Sequence, residues 1–119
     1  MRQLTFASLQ VNDLQAAKEF YQNKLGFELG DTNPQACVFK YKPGEASFAI
    51  RTPLEPLEGR EMGVGVAIWF AVDQNVDELK QQFISNGVTT AGPVIETPFG
   101  RAFHVNDLDG YKLTFLENR

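Results

Sequence analysis

The chain reads the same way twice, and that repetition constrains its fold more than any single motif. Leu4 to Val11 alternates as a strand, with Ala7, Leu9 and Val11 on one face and Leu4, Phe6, Ser8 and Gln10 on the other. Asp13 then stands as an N-cap before a helix whose Leu14, Ala17, Tyr21 and Leu25 recur at helical spacing, and Gly26 ends it. Three short strand-like pieces follow, "FELGD", "ACVFKY" and "ASFAIRT", the last two joined by the turn formers Lys42-Pro43-Gly44-Glu45.

The stretch "PLEPLEGREMG" has two prolines, two glycines, several charges and no period, so it reads as a linker over 53–63. After it the order returns. Val64 to Val72 alternates as a strand, with Val66, Ile68, Phe70 and Val72 on one face and Gly65, Ala67, Trp69 and Ala71 on the other. Asn75 caps a second helix, Glu78 completes a capping-box pattern, Leu79 and Phe83 lie on its inner side, and Gly87 closes it. Strands are expected at Val88 to Glu96, broken at Gly92-Pro93, then at Arg101 to Asn106 and Tyr111 to Glu117.

Val72 follows Val11 by the same 61 positions that separate Gly87 from Gly26, whereas Gly110 follows Gly44 by 66, so the second copy has gained residues in its middle strands. The expectation is an α+β fold of two βαβββ modules in one domain, 1–119, with module one at 1–52 and module two at 64–119. Their sheets would form an open curved sheet, helices on its convex side and a cup on the other.

At 119 residues such a domain buries roughly two-thirds of the surface its unfolded chain exposes, and needs no cross-link to fold. The net charge of −4 offers no basic stripe for nucleic acid or an anionic membrane, and no apolar run approaches the ~20 residues of a membrane span. "MRQLTFASLQVND" lacks the apolar stretch of a signal peptide, so a cytoplasmic location is expected. Cys37 is the one cysteine, so neither an internal disulfide nor a cysteine zinc site can form; in its apolar run it reads as a buried strand residue. Ten phenylalanines are many for this length, and their area must line a core, a cavity or an interface.

"LQVNDLQAAKEFYQNKLGFELG" and "PFGRAFHVNDLDGYKLTFLE" together resemble the glyoxalase/bleomycin-resistance/extradiol-dioxygenase group, the vicinal oxygen chelate superfamily, over nearly the whole chain. The combination that carries the resemblance is a strand ending in V-x-D-L, a helix with F-Y-x-x-x-L-G-F, and a closing G-R-x-F-x-x-x-D-x-D-G turn. In the metal enzymes of that family, four residues, two per module, hold one divalent ion. The resemblance places them at Phe6, Phe48, Ala67 and Thr114, with Ser47 or Ala49 entering if the first module's last strand is shifted by one. Phenylalanine and alanine offer no donor, and one threonine hydroxyl is a poor ligand alone, so no metal or other cofactor is expected.

The resemblance therefore implies a metal-independent binder of the bleomycin-resistance type, taking an aromatic or cationic drug or metabolite in an apolar cup, and a homodimer. Its ligand-binding residues would be Phe6, Phe48, Trp69, Phe99, Arg101, Lys112 and Thr114, with Ile50, Ala67 and Gln10 also on the cup side. The cup aromatics read equally as packed core. Arg101, in "PFGRAF", lies near the ligand groove or pairs with Glu96 or Asp107. The alternative is a glyoxalase- or dioxygenase-like enzyme whose metal sits on unorthodox ligands, such as His104 with Glu45 or Glu96. His104, the one histidine, is the only obvious general base near neutral pH, yet without a clustered partner it reads better as a hydrogen-bonded strand histidine. Asp107 and Asp109 fit a turn better than a carboxylate pair.

Overall fold

The computed structural model describes residues 2–117 and divides the chain into two compact units, one ending at Arg60 and the other beginning at Glu61. Each unit carries one four-stranded mixed sheet, and together they give the α+β fold of two βαβββ modules.

In module one, β1 (Phe6–Gln10) leads into α1 (Leu14–Glu19), then β2 (Leu29–Asn33), β3 (Ala36–Phe39) and β4 (Ser47–Arg51). The sheet order is β1-β4-β3-β2, with β1 and β4 parallel and the other pairs antiparallel. Asp13 caps α1 as its residue type predicts, its Oδ1 accepting from Ala16 N at 3.0 Å. The helix does not continue as α to Leu25. From Phe20 to Lys24 it widens into a π turn in which Leu25 N donates to Phe20 O at 3.1 Å. Tyr21 is thereby fully buried among Phe27, Phe39 and Phe48, with ring centroids 5.4 to 6.1 Å away.

Module two runs β5 (Ile68–Val72), α2 (Val76–Ser85), β6 (Thr90–Thr97), β7 (Gly100–Asn106) and β8 (Lys112–Glu117), in sheet order β5-β8-β7-β6. Here β5 and β8 are the parallel pair. Asn75 Oδ1 accepts from the backbone N–H groups of Asp77 and Glu78, so α2 starts where its cap predicts. β5 begins four residues later than the alternation suggests. Gly63 and Gly65 have positive φ and Val66 N donates to Gly63 O, so this stretch turns instead of extending. Gly63 also lies against Tyr111, where a Cβ would meet the ring at 3.0 Å.

The helix-side cores are aromatic in both modules. Phe39 stacks on Phe48 at 4.5 Å in module one; Phe83 of α2 meets Phe103 and Phe115 at 5.8 and 5.0 Å in module two. Buried rings of this kind carry much of the packing free energy of a small domain. Part of the expected linker is ordered as well: Leu57 is buried, and Leu54 N donates to Gln10 Oε1 at 2.9 Å. Among the described residues, no helix is long and apolar enough to cross a membrane.

Candidate functional site

Strand register decides which residues share the sheet face that carries no helix. In module two, Trp69 is level with Thr114 and Thr114 with His104, and Ala91 completes the row on β6. One step along the strands on the same face lies the row Ala71, Leu116, Ala102 and Ile95; one step the other way lie Lys112 and Asn106. Trp69 is 42% exposed and meets Phe99, at the β6–β7 turn, edge to face at 5.9 Å. Thr114 is 2% exposed, and its Oγ1 shares a 2.8 Å hydrogen bond with His104 Nδ1. The imidazole Nε2 has no protein partner among the described residues. Burial, with Lys112 nearby, pushes the His104 pKa below the ordinary histidine value, so the ring is neutral at neutral pH.

The turn feeding β8 is built by Asp107. Its buried Oδ1 accepts from Asp109 N and Tyr111 N, both at 2.9 Å, and Gly110 takes the positive φ the turn needs. The carboxylate spacing is thus structural, and it fixes the register that sets His104 opposite Thr114.

Several expected site residues lie elsewhere. Phe48 is a correction: β1 and β4 pair Ala7 with Phe48 and Leu9 with Ile50, so Phe48 and Ile50 face the helix, and Phe48 is 5% exposed within the aromatic cluster. The repeat supplies the right equivalent. Ser8 stands 61 positions before Trp69; Ser8 pairs with Ala49 as Trp69 pairs with Thr114, so Ala49 is the counterpart of Thr114. Phe6 does lie on the helix-free face of module one, 47% exposed, with Ser8 and Gln10. Ala67 immediately precedes β5.

Arg101 takes the pairing role of the two expected for it. It faces α2, where its guanidinium binds Asp77 at 2.7 Å, Glu117 at 3.6 Å and Glu96 at 3.7 Å. Of the expected partners Glu96 is present, and Asp77 and Glu117 take the place of Asp107. Glu117 Oε2 also accepts from Val76 N at 3.1 Å, so this cluster ties the start of α2 to the sheet and is unavailable to a ligand on the opposite face. Glu96 lies opposite Arg101 on the helix side, which removes the pairing of His104 with Glu96. Glu45 Oε2 closes its own turn by accepting from Lys42 N.

The residues at the family's metal positions thus read Phe6, Ala49, Ala67 and Thr114. One hydroxyl, already engaged by an imidazole, does not fit a divalent ion. Among the described residues no group of three His, Cys, Asp or Glu side chains could hold a metal. Cys37 is buried, and burial pushes its thiol pKa up, away from nucleophilic chemistry. A shallow depression of about 540 Å³ along α2 is lined by Asp77, Glu78, Gln81, Gln82, Ser85 and Asn86; it lies across the sheet from the Trp69 row and holds none of its groups.

The pairing of His104 with Thr114 was not anticipated, although a signal for it exists. With the turn placed at Asp107 to Gly110, Asn106 pairs with Lys112, and counting two residues outward on each strand reaches His104 and Thr114.

Comparison with known proteins places this geometry. The chain is similar in structure to a member of the glyoxalase/bleomycin resistance protein/dioxygenase superfamily from Sphaerobacter thermophilus DSM 20745, with 26% identity, TM-score 0.77, and coverage of 99% of this chain and 98% of that one. It is similar in fold to TnmS3, an antibiotic binding protein from Streptomyces sp. CB03234, with 22% identity, TM-score 0.80, and coverage of 100% and 98%. It also resembles a lactoylglutathione lyase from Agrobacterium tumefaciens, with 23% identity, TM-score 0.75, and coverage of 99% and 95%. No curated protein gives a significant match. The family model of the Glyoxalase/Bleomycin resistance protein/Dioxygenase superfamily matches residues 3–115, and the chain belongs to that superfamily.

Proposed function

We propose that this protein binds a small aromatic molecule without a metal ion, and that the helix-free face of module two supplies the contact surface. The observation that carries this reading is the row Trp69, Thr114 and His104. Where metal enzymes of the family need a ligand, the chain has a threonine hydroxyl bonded to an imidazole, and next to it an exposed indole. A half-exposed tryptophan held edge to face by a phenylalanine is a ready stacking surface, worth on the order of 1 kcal/mol per ring contact. Proteins similar in fold include an antibiotic binding protein and a lactoylglutathione lyase, so the fold is compatible with either binding or catalysis. The donor set favours the first. A homodimer belongs to the same proposal and is checked by sedimentation.

The test is calorimetry against a panel of glycopeptide and aromatic drugs in chelator-containing buffer, with plasma mass spectrometry of the same sample. Saturable binding that survives chelation, and weakens roughly tenfold in Trp69→Ala, is the expected result. Stoichiometric bound metal, or no binding across the panel, would overturn the proposal.

A further inference from the structure

The protein's net charge of −4 suggests an attraction for cations, but the charge is not distributed that way on the face that carries Trp69. The strand positions sharing that face are Trp69 and Ala71 on β5, Lys112, Thr114 and Leu116 on β8, Gly100, Ala102, His104 and Asn106 on β7, and Ala91, Ile95 and Thr97 on β6. None is acidic. The carboxylates of this sheet, Glu96 and Glu117, lie on the other side, bound to Arg101. The polar groups beside the indole are therefore a lysine ammonium, an imidazole and an amide.

Their spacing is as informative as their charge. Trp69 and His104 lie two strands apart, about 10 Å at ordinary strand separation, and Lys112 is one same-face step, roughly 7 Å, from the row they define. Thr114 fills the middle of the row with its hydroxyl turned to His104 Nδ1, which fixes the imidazole and leaves Nε2 as its unused nitrogen. A fused aromatic ring resting on the Trp69–Phe99 pair would carry a substituent on its far edge to His104 Nε2 and Lys112 Nζ.

Resting on the binding function proposed above, we infer that the ligand is a planar aromatic anion, an aromatic carboxylate or a phenolate, whose ring stacks at Trp69 and whose charged oxygen is taken by Lys112 and His104. The amide of Asn106, beside Lys112, offers a further donor to the same oxygen. A cationic aromatic would meet Lys112 with like charge and find no carboxylate among the strand positions of this face.

Three probes of one shape separate the possibilities: 2-naphthoate, 2-naphthalenemethanol and 2-naphthylmethylammonium, titrated by calorimetry, with the His104 ring protons followed by NMR. Naphthoate should bind roughly tenfold more tightly than the ammonium and shift the His104 resonances. Lys112→Met, a change at an exposed strand position, should bring naphthoate to within about twofold of the alcohol. If the alcohol or ammonium binds at least as tightly as naphthoate, or the naphthoate preference survives Lys112→Met, the anion inference falls while aromatic binding stands. If none of the three binds, both fall.

Discussion

The two modules share one topology and differ in how they use it. In module one the helix widens into a π turn so that Tyr21 can join Phe27, Phe39 and Phe48, and the helix-free face of β1 and β4 carries Phe6, Ser8, Gln10, Ser47, Ala49 and Arg51. Module two has a regular ten-residue helix, capped by Asn75 and tied down by Arg101, and its helix-free face carries the indole, the imidazole and the lysine. Module one gathers Tyr21, Phe27, Phe39 and Phe48 into its core and leaves Phe6 and Tyr41 exposed; module two keeps a contacting pair, Trp69 and Phe99, outside its core. Duplicating a fold evidently duplicates the ladder and the caps without fixing what the faces present.

The largest expected effect separates two phenylalanines that the resemblance put together in one quartet on the cup side. Phe48→Ala should cost about 3–5 kcal/mol in chemical denaturation, because it empties the centre of a ring cluster. Phe6→Ala, on the helix-free face, should cost under about 1 kcal/mol. Equal losses would mean that Phe48 does not face the helix. Next comes Asp107→Ala, which leaves two turn N–H groups without their acceptor and should cost roughly 1–3 kcal/mol. An unchanged unfolding midpoint would show that the carboxylate does not organise the turn.

The helix caps come third. Asn75→Ala and Asp13→Ala should each cost about 1 kcal/mol, since each removes one side-chain acceptor from a helix start. A much larger loss at Asn75 would reveal that the Arg101 cluster depends on that cap.

The smallest effect is a pH dependence particular to module two. The His104 pKa is depressed in the folded state by burial, with Lys112 adding to it, so between the folded and unfolded values the unfolded chain binds the extra proton. Its contribution to stability is therefore complete above the ordinary histidine value of about 6.5 and is lost as pH falls through the folded value. NMR titration of this lone histidine should give a midpoint below 6.5 in the native protein, moving upward in Lys112→Met.

Much of the scaffold was legible before any coordinates: the order of elements, the caps at Asp13 and Asn75, and the Asp107 turn each follow from a residue type at a required backbone position. The face of Phe48 was not, for a physical reason. Phe48, Ala49 and Ile50 are all buried, so β4 lacks the apolar-polar alternation that reveals which side of a strand points inward. The start of β5 misled in the opposite way, since Val64 and Val66 alternate with glycines that serve a turn. The Arg101 cluster joins residues from four separate elements, β6, β7, β8 and α2, and no local spacing encodes such a meeting. The candidate site was half visible: Trp69, Lys112 and Thr114 share the expected face, while the hydrogen bond between His104 and Thr114 needs the hairpin register.

The parallel pairing inside each module has a consequence for how the chain acquires its shape in time. Phe6 waits for Ser47, and Ile68 for Leu113, so each sheet is completed by a strand made about forty residues after its partner. In both modules that late strand is also an interior one, β4 between β1 and β3 and β8 between β5 and β7. Closing loops of this length before the contacts reward it slows folding. During synthesis on the ribosome, β5 would remain an unpaired edge until β8 emerges. The aromatic row of the candidate site thus comes into being in the last step of its module's folding.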